Sequence, residues 1–264
     1  MDWWAAYLAL GALAGFLAGL LGVGGGLIIV PSLIFLFNSQ HFPQTNLLHI
    51  ALGTSLASIM FTSVSSLRAH HAHGAVNWKI VRRITPGIVI GALLGSIFAA
   101  MLSSSVLALF FAVFVFFAAT QILLDIKPKP HRQLPGSLGT FLVGIIIGVI
   151  FSLVAGGGAI LSVPFMLYCN IKTHEAIGTS AAIGFPIAVS GAAGYLFTGL
   201  AQASLPPHSL GFVYLPALLW LAAASVVTAP FGAKLAHRLP VERLKKIFAV
   251  FLYIIAAKML VGLS

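Results

Sequence analysis

Charged residues are scarce in this chain. Asp, Glu, Lys and Arg together make up 7% of its 264 residues, whereas hydrophobic residues make up 60%. A soluble domain carries roughly a quarter charged residues, so this chain has too little polar surface to remain in water. Apolar stretches of about 20 residues, long enough to cross a bilayer, follow one another along most of the sequence. The composition therefore predicts a multi-pass integral membrane protein.

Acidic residues and cysteine are the scarcest of all. The four acidic residues are Asp2, Asp125, Glu175 and Glu242, and each lies near the end of a predicted apolar segment. Carboxylate relays and cation sites inside the membrane are therefore poorly supported, which favours an anionic substrate. The single cysteine, Cys169, allows neither an intramolecular disulfide nor a metal site built from thiolates.

Sequence motifs of enzymes are missing as well. There is no Walker loop and no nucleophile elbow, so we expect no enzyme activity, no cofactor and no bound metal. The net charge of +10 could suggest a nucleic-acid partner. However, all but two of the 14 Lys and Arg residues fall into three short clusters between apolar segments, at residues 68–83, 127–132 and 234–246. Such clusters are typical of cytoplasmic loops under the positive-inside rule, and they predict a lipid bilayer as the partner instead of nucleic acid.

Two motifs occur twice in the same order. A glycine triplet followed by a proline ends at Pro31 and again at Pro164, and a later His-x-x-x-Gly-Thr-Ser segment begins at His49 and again at His174. A further glycine lies equally far beyond each threonine, at Gly74 and Gly199. The chain is therefore predicted to be all-α with about eight hydrophobic segments in two repeats, residues 1–124 and 138–264. A cytoplasmic linker, residues 125–137, joins these repeats into one transport domain.

The basic clusters predict how the two repeats are oriented. The basic loop lies between the second and third segments of the first repeat, but between the third and fourth segments of the second. Placing all the clusters in the cytoplasm requires inverted repeats. It also requires that the glycine-broken first segment of each repeat is re-entrant or hairpin-like. Eight simple spans with parallel repeats are the alternative, and they would place residues 234–246 outside the cell.

The glycine triplets are the strongest candidates for a binding site. Three glycines and a proline destabilise a helix, and the backbone groups that they leave unpaired must be satisfied inside the membrane. A helix that restarts after such a break offers backbone N–H groups to an anion. The alternative is that the glycines only permit close helix packing, which we expect of Gly11, Gly15 and Gly19.

The second repeated motif adds hydroxyl groups. They can donate to an oxyanion, although their commoner use is to satisfy a carbonyl one helical turn away. The two matched histidines, His49 and His174, are candidates for proton coupling or anion attraction. The predicted substrate-binding residues are Gly24, Gly25, Gly26, Thr54, Ser55, Gly156, Gly157, Gly158, Thr179 and Ser180.

These motifs resemble the TauE/SafE family of sulfite exporters. The resemblance rests on residues 22–31, on the paired Gly-Thr-Ser segments, and on residues 73–78, 205–216 and 229–240, which together span nearly the whole chain. It implies a bacterial inner-membrane carrier for sulfite, sulfonates or related organosulfur anions, coupled to protons. The second glycine motif departs from the first in one respect, because Pro164 lies one residue farther from its triplet than Pro31 does.

The sequence thus predicts a secondary transporter of small anions that works by alternating access. A passive anion channel built from the same donors is the alternative. The transport direction, the coupling ion and the presence of a homo-oligomer are left open by the sequence.

Overall fold

The structure is a computed structural model that describes residues 3–21, 25–124, 128–129, 131–202, 204–236 and 242–261. It is built from α-helices, with a 3₁₀ turn at Gln44–Asn46 and a short β-hairpin. In chain order the elements are α1 (Trp4–Leu21), α2 (Gly26–Ser39), α3 (Leu47–Ala72), α4 (Trp78–Met101), α5 (Ser104–Leu124), α6 (Ser137–Val154), α7 (Ala159–Tyr168), α8 (Thr173–Gly199), β1 (Ser209–Leu210), β2 (Val213–Tyr214), α9 (Leu215–Ala236) and α10 (Glu242–Val261).

The helix lengths and compositions fit an all-α membrane protein. Among the described residues, six helices are long and apolar enough to cross a membrane: those around α3, α4, α5, α6, α8 and α9. Shorter apolar helices are formed by α1, α2 and α7. Many large apolar side chains point outward, including Phe98, Phe116 and Leu219 at 53%, 54% and 63% exposure, whereas Thr54 and Ser55 inside are fully buried. This inverted polarity suits a chain surrounded by lipid.

Two pairs of helices form hairpins whose ends lie together. The side chain of Gln40, just after α2, donates a 2.6 Å hydrogen bond to the hydroxyl of Tyr7 near the start of α1. The carbonyl of Tyr168, at the end of α7, accepts from the backbone N–H groups of His131 and Arg132, which precede α6. Each glycine-broken segment therefore enters the protein and returns to the face from which it came.

The longer helices run between two chemically different faces. One face carries the end of α3 and the starts of α4, α8 and α10, and every described Lys and Arg except Lys258 lies there. The opposite face carries a cluster of stacked and edge-on rings formed by Tyr7, Phe37, Phe42 and Tyr214. We call these the basic face and the aromatic face. The positive-inside rule assigns the basic face to the cytoplasm.

Glycines allow two pairs of parallel helices to pack closely. The helix α1 lies along α9, and α6 lies along α4. A methyl group at Gly19 would lie 2.1 Å from the carbonyl oxygen of Ala229 in α9, and Gly11 and Gly15 meet α9 in the same way. The prediction that these glycines form a packing stripe is confirmed. In the centre α3 crosses α8, while α5 packs against α10.

Candidate functional site

The two glycine-rich breaks meet inside the protein. The helix α2 begins at Gly26 with Gly25 at its N-cap, and α7 begins at Ala159 with Gly158 at its N-cap. A methyl group at Gly26 would lie only 1.5 Å from the carbonyl oxygen of Ala155, so the tip of one hairpin touches the tip of the other. The first-turn N–H groups of both helices are thus brought to one region, and they lack intrahelical partners except that of Ile28, which donates to the carbonyl of Gly25.

The prolines occupy the same place in both short helices. Pro31 is the sixth residue of α2 and Pro164 is the sixth residue of α7. The extra residue before Pro164 lies outside the helix, because α7 begins at Ala159, one position after its triplet. The one-residue difference in the sequence therefore does not change the position of the proline within the helix. The break before α7 is fixed by Ala155, whose φ of 46° ends α6 in the left-handed conformation.

A small cavity lies where the tips meet, and we call it the tip pocket. Its volume is about 40 Å³. Both hairpins and both central helices contribute to its wall, which is lined by Ala18, Gly25, Ile59, Thr62, Ser63, Ser66, Gly157, Gly158, Ser180, Ala181 and Gly184. Among the described residues no ionisable side chain lines it, so the polar groups that they contribute are hydroxyls and backbone amides.

The predicted glycines have different positions relative to this pocket. Gly25, Gly157 and Gly158 line it. Gly26 is instead packed against Ala155, and a methyl group at Gly156 would lie 2.6 Å from the ring of Phe151. Gly24 lies outside the described residues. These contacts give Gly26 and Gly156 a packing role.

The threonines of the repeated motif hold the loops that lead into α4 and α9. The hydroxyl oxygen of Thr179 accepts a 2.9 Å hydrogen bond from the backbone N–H of Asn77, and that of Thr54 accepts one of the same length from Tyr214. Asn77 and Tyr214 are the residues immediately before α4 and α9. We call these two contacts the threonine latches. Each contact uses one lone pair of the threonine hydroxyl. Neither threonine lines the wall of the tip pocket.

Glycine makes room for each latch. A methyl group at Gly178 would lie 2.4 Å from the carbonyl oxygen of Ala75, and one at Gly53 would lie 2.4 Å from that of Phe212. The residues before Ala75 and Phe212 are Gly74 and Gly211, and both have positive φ values, of 65° and 56°. The structural counterpart of Gly74 is therefore Gly211. Gly199, which the sequence matched to Gly74, is the last residue of α8.

The two predicted serines differ in their surroundings. Ser180 lines the tip pocket. Its Oγ lies 3.0 Å from Oγ of Ser162 in α7, which donates to the carbonyl of Gly158 at 2.5 Å. Ser55 is fully buried, and its hydroxyl has no hydrogen-bond partner among the described residues.

Ser162 and the hydroxyls at Thr62 and Ser66 were not among the predicted site residues. Thr62 and Ser66 could have been found from their spacing, since Ser55, Ser58, Thr62 and Ser66 recur every three or four positions along one face of α3. Thr62 also forms a 2.8 Å hydrogen bond with Ser225 of α9. Ser162 lies between apolar residues of α7 and has no comparable sequence signal.

The two matched histidines lie at opposite faces. His49 is buried near the aromatic face, where its Nε2 lies 3.0 Å from the carbonyl oxygen of Ala99 and its ring stacks on Phe212. His174 is exposed in the first turn of α8 at the basic face. The structure brings neither into the tip pocket. Within the described residues, no three His, Cys, Asp or Glu side chains are grouped closely enough to hold a metal ion.

Comparison with known proteins gives the family. A family model described as Sulfite exporter TauE/SafE matches residues 7–259. The chain is 39% identical over 253 residues to a "Probable membrane transporter protein" of Haemophilus influenzae, covering 96% of both chains. It is 30% identical to the "Probable membrane transporter protein YdhB" of Bacillus subtilis, covering 91% of this chain and 92% of that one.

A more distant relative is a "Probable membrane transporter protein" of Methanocaldococcus jannaschii, 25% identical over 96% of this chain and 94% of its own. No solved structure matches. The family match covers nearly all of the described helices and includes both hairpins, the tip pocket and the threonine latches. This multi-pass membrane protein therefore belongs to the sulfite exporter TauE/SafE family.

Proposed function

We propose that the protein is a secondary transporter of a small oxyanion, with sulfite as the best candidate, and that the anion binds in the tip pocket. The observation that carries this proposal is the convergence of the two hairpin tips, with Gly25 on one side and Gly157 and Gly158 on the other, around one cavity that serine and threonine hydroxyls also border. The relatives' names describe membrane transporters, and the family's description names sulfite.

The chemistry of the pocket favours an anion that is recognised without a fixed positive charge. Two helices, α2 and α7, begin at its wall, and each helix start carries partial positive charge and unpaired N–H groups. The hydroxyl of Ser180, which accepts from Ser162, supplies a further donor, whereas the hydroxyls of Thr62 and Ser63 donate to the carbonyls of Ser58 and Met60 and would have to turn towards the anion. A site built from neutral donors binds an oxyanion weakly enough to release it, as a transport cycle requires.

The size of the pocket favours a compact substrate. A cavity of about 40 Å³ has room for about three water molecules, since one water needs roughly 10–15 Å³ of this kind of volume. Sulfite, with four heavy atoms, is close to that size. A longer sulfonate such as taurine would require the pocket to widen, so we rank sulfite above the sulfonates.

Alternating access would follow from two inverted repeats. The exchange of partners, α1 on α9 and α6 on α4, supports this arrangement because it is the pattern that a pseudo-two-fold axis produces. The threonine latches support it too, since the central helix of each repeat holds the loop that leads into a helix of the other repeat, Thr54 that before α9 and Thr179 that before α4. Rocking of the repeats against each other would then expose the tip pocket to one face at a time.

The polar stripe on α3 indicates which face the pocket reaches in this conformation. Towards the basic face, the lining continues from Ser63 to the partly exposed Ser66. Towards the aromatic face, Ser55 and Ser58 on the same helix are fully buried. We infer that the anion enters this conformation from the cytoplasmic side, which suits the first step of export.

Proton coupling is proposed to involve His49. It is buried and titratable, and its Nδ1 has no hydrogen-bond partner among the described residues. Because His49 lies towards the aromatic face and outside the tip pocket, it would sense the conformation of the repeats instead of contacting the anion.

Counterflow in proteoliposomes tests this function. Vesicles loaded with unlabelled sulfite should accumulate labelled sulfite faster than empty vesicles, and the rate should saturate. Sulfate, thiosulfate, taurine and sulfoacetate, added outside at equal concentration, rank the substrates by competition. A current that follows the anion gradient without trans-stimulation would show a channel and would reject the carrier.

A further inference from the structure

A second, larger cavity lies away from the tip pocket. It is a groove of about 730 Å³ between α2, α5 and α10, close to the first turns of α1. Along α2 it extends from Pro31 to Asn38, which is roughly 10 Å at the helical rise per residue. This length is about two thirds of one bilayer leaflet, whose hydrocarbon thickness is about 15 Å.

The walls of the groove are mostly apolar and face the membrane. They include Leu10, Phe35, Ala108, Phe251 and Ile255. Phe35 and Phe251 remain 61% and 41% exposed. A groove of this size lined by apolar side chains fits a hydrocarbon chain.

Apart from Ser32, which lies at the opposite end along α2, the polar groups are concentrated at one end of the groove. Asn38 and Gln44 line it there and are joined by a 2.6 Å hydrogen bond. Ser104, at the start of α5, donates to the carbonyl oxygen of Thr45, and Lys258 lies in the last turn of α10. All four side chains border the groove, and they lie at the aromatic face, where α2 and α10 end and α5 begins. The cavity is thus amphipathic, with a long apolar part and a short cationic end.

Lys258 is an exception to the charge distribution of the protein. Among the described residues it is the one Lys or Arg at the aromatic face, which the positive-inside rule assigns to the extracytoplasmic side. Its Nζ lies 5.4 Å from the centroid of the Phe35 ring, so the charge is held over the mouth of the groove. None of the described acidic residues lies at this face to balance it.

We propose that this groove binds one anionic phospholipid of the extracytoplasmic leaflet. An acyl chain lies along Phe35, Ala108 and Phe251, and the phosphate of the head group pairs with Lys258. Asn38 and Gln44 donate to the remaining head-group oxygens. The site is separate from the tip pocket, and the proposal stands or falls independently of the transported substrate.

Thermal unfolding of the purified protein in detergent tests the proposal. Phosphatidylglycerol should raise the unfolding midpoint more than the same concentration of phosphatidylcholine, because a lipid that binds the native state stabilises it by mass action. Lys258→Gln should weaken phosphatidylglycerol binding about fivefold, the effect of one lysine at an anionic surface. Lys258→Arg should retain the preference. Lys246→Gln, the same charge change at the basic face, serves as the matched control.

Two further measurements distinguish binding through the head group from binding through the acyl chain. Soluble glycerol phosphate should not shift the midpoint, because the acyl chain supplies most of the contact, and Ala108→Phe should weaken both lipids by filling the groove. Equal stabilisation by the two lipids would overturn the proposal. So would an unchanged preference in Lys258→Gln, or a shift by glycerol phosphate as large as that by the lipid.

Discussion

Gly26, the first residue of α2, lies directly against the carbonyl oxygen of Ala155, the residue that follows α6. A methyl group at Gly26 would lie 1.5 Å from that oxygen. This contact joins the two hairpins at the level of the tip pocket, so the geometry of the candidate site depends on the absence of a side chain at one position.

Gly26→Ala should therefore disrupt the junction between the hairpins. Because the obstructing atom belongs to the backbone, it cannot move aside without displacing Ala155, and we expect a loss of about 1–3 kcal/mol in the free energy of unfolding. Gly184→Ala is the matched control, since an added methyl group there has no atom within 4 Å. Thermal unfolding in detergent should show a lower midpoint for the first variant only. Equal midpoints would mean that the tips are not in contact.

The hydroxyls of the tip pocket should control affinity for the anion. Ser180→Ala removes a donor at the pocket wall, and a hydrogen bond to a charged ligand contributes about 1.5–3 kcal/mol, so we expect KM for sulfite to rise about tenfold or more. Ser39→Ala, which removes an exposed hydroxyl at the end of α2, should leave KM unchanged. Initial rates of sulfite uptake in proteoliposomes measure both. An unchanged KM for Ser180→Ala would remove this serine from the site.

The threonine latches should contribute to stability through their acceptor oxygens. Thr179→Val leaves the N–H of Asn77 without its partner, and Thr54→Val does the same to Tyr214, at a cost of about 1–3 kcal/mol each. Thr179→Ser and Thr54→Ser retain the acceptor and should recover most of the loss. Unfolding midpoints of the four variants, measured side by side, check this. Valine variants as stable as the wild type would show that the latches do not contribute to stability.

The two histidines should differ in their effect on proton dependence. His49→Gln retains a donor for the carbonyl of Ala99 but cannot take up a proton, so sulfite flux should lose its response to an imposed pH gradient. His174 is exposed at the basic face, and His174→Gln should keep that response. The measurement is labelled sulfite flux in vesicles with and without a pH gradient. A full response in His49→Gln would exclude this histidine from coupling.

The hairpins could be predicted from the sequence because glycine acts locally. Three consecutive glycines destabilise a helix wherever they occur, so residues 24–26 and 156–158 predict a break in each first segment. The prolines do not form the breaks, since Pro31 and Pro164 lie inside α2 and α7. The packing of Gly11, Gly15 and Gly19 on α9 could be predicted for the same reason, since a stripe of small residues on one helix face has few other uses in a membrane.

The latches and the full lining of the pocket could not be predicted in this way. The loop at residues 200–214 is longer than the loop at residues 73–77, so spacing along the chain matched Gly74 to Gly199 when its structural counterpart is Gly211. The role of Thr54 and Thr179 depends on loop residues distant in sequence. Ser162 contacts Ser180 at the pocket wall only because α7 packs against α8, a tertiary contact without a local signal.

The central claim is that sulfite binds in the tip pocket, and counterflow of labelled sulfite by Gly184→Val tests it most directly. This change extends a side chain into the pocket from a position with open space around it. Gly136→Val, at the N-cap of α6 and likewise in open space, is the control. We expect Gly184→Val to reach the membrane, unfold at the wild-type temperature and lose sulfite counterflow, while Gly136→Val transports normally. Wild-type counterflow by a correctly folded Gly184→Val protein would contradict the account.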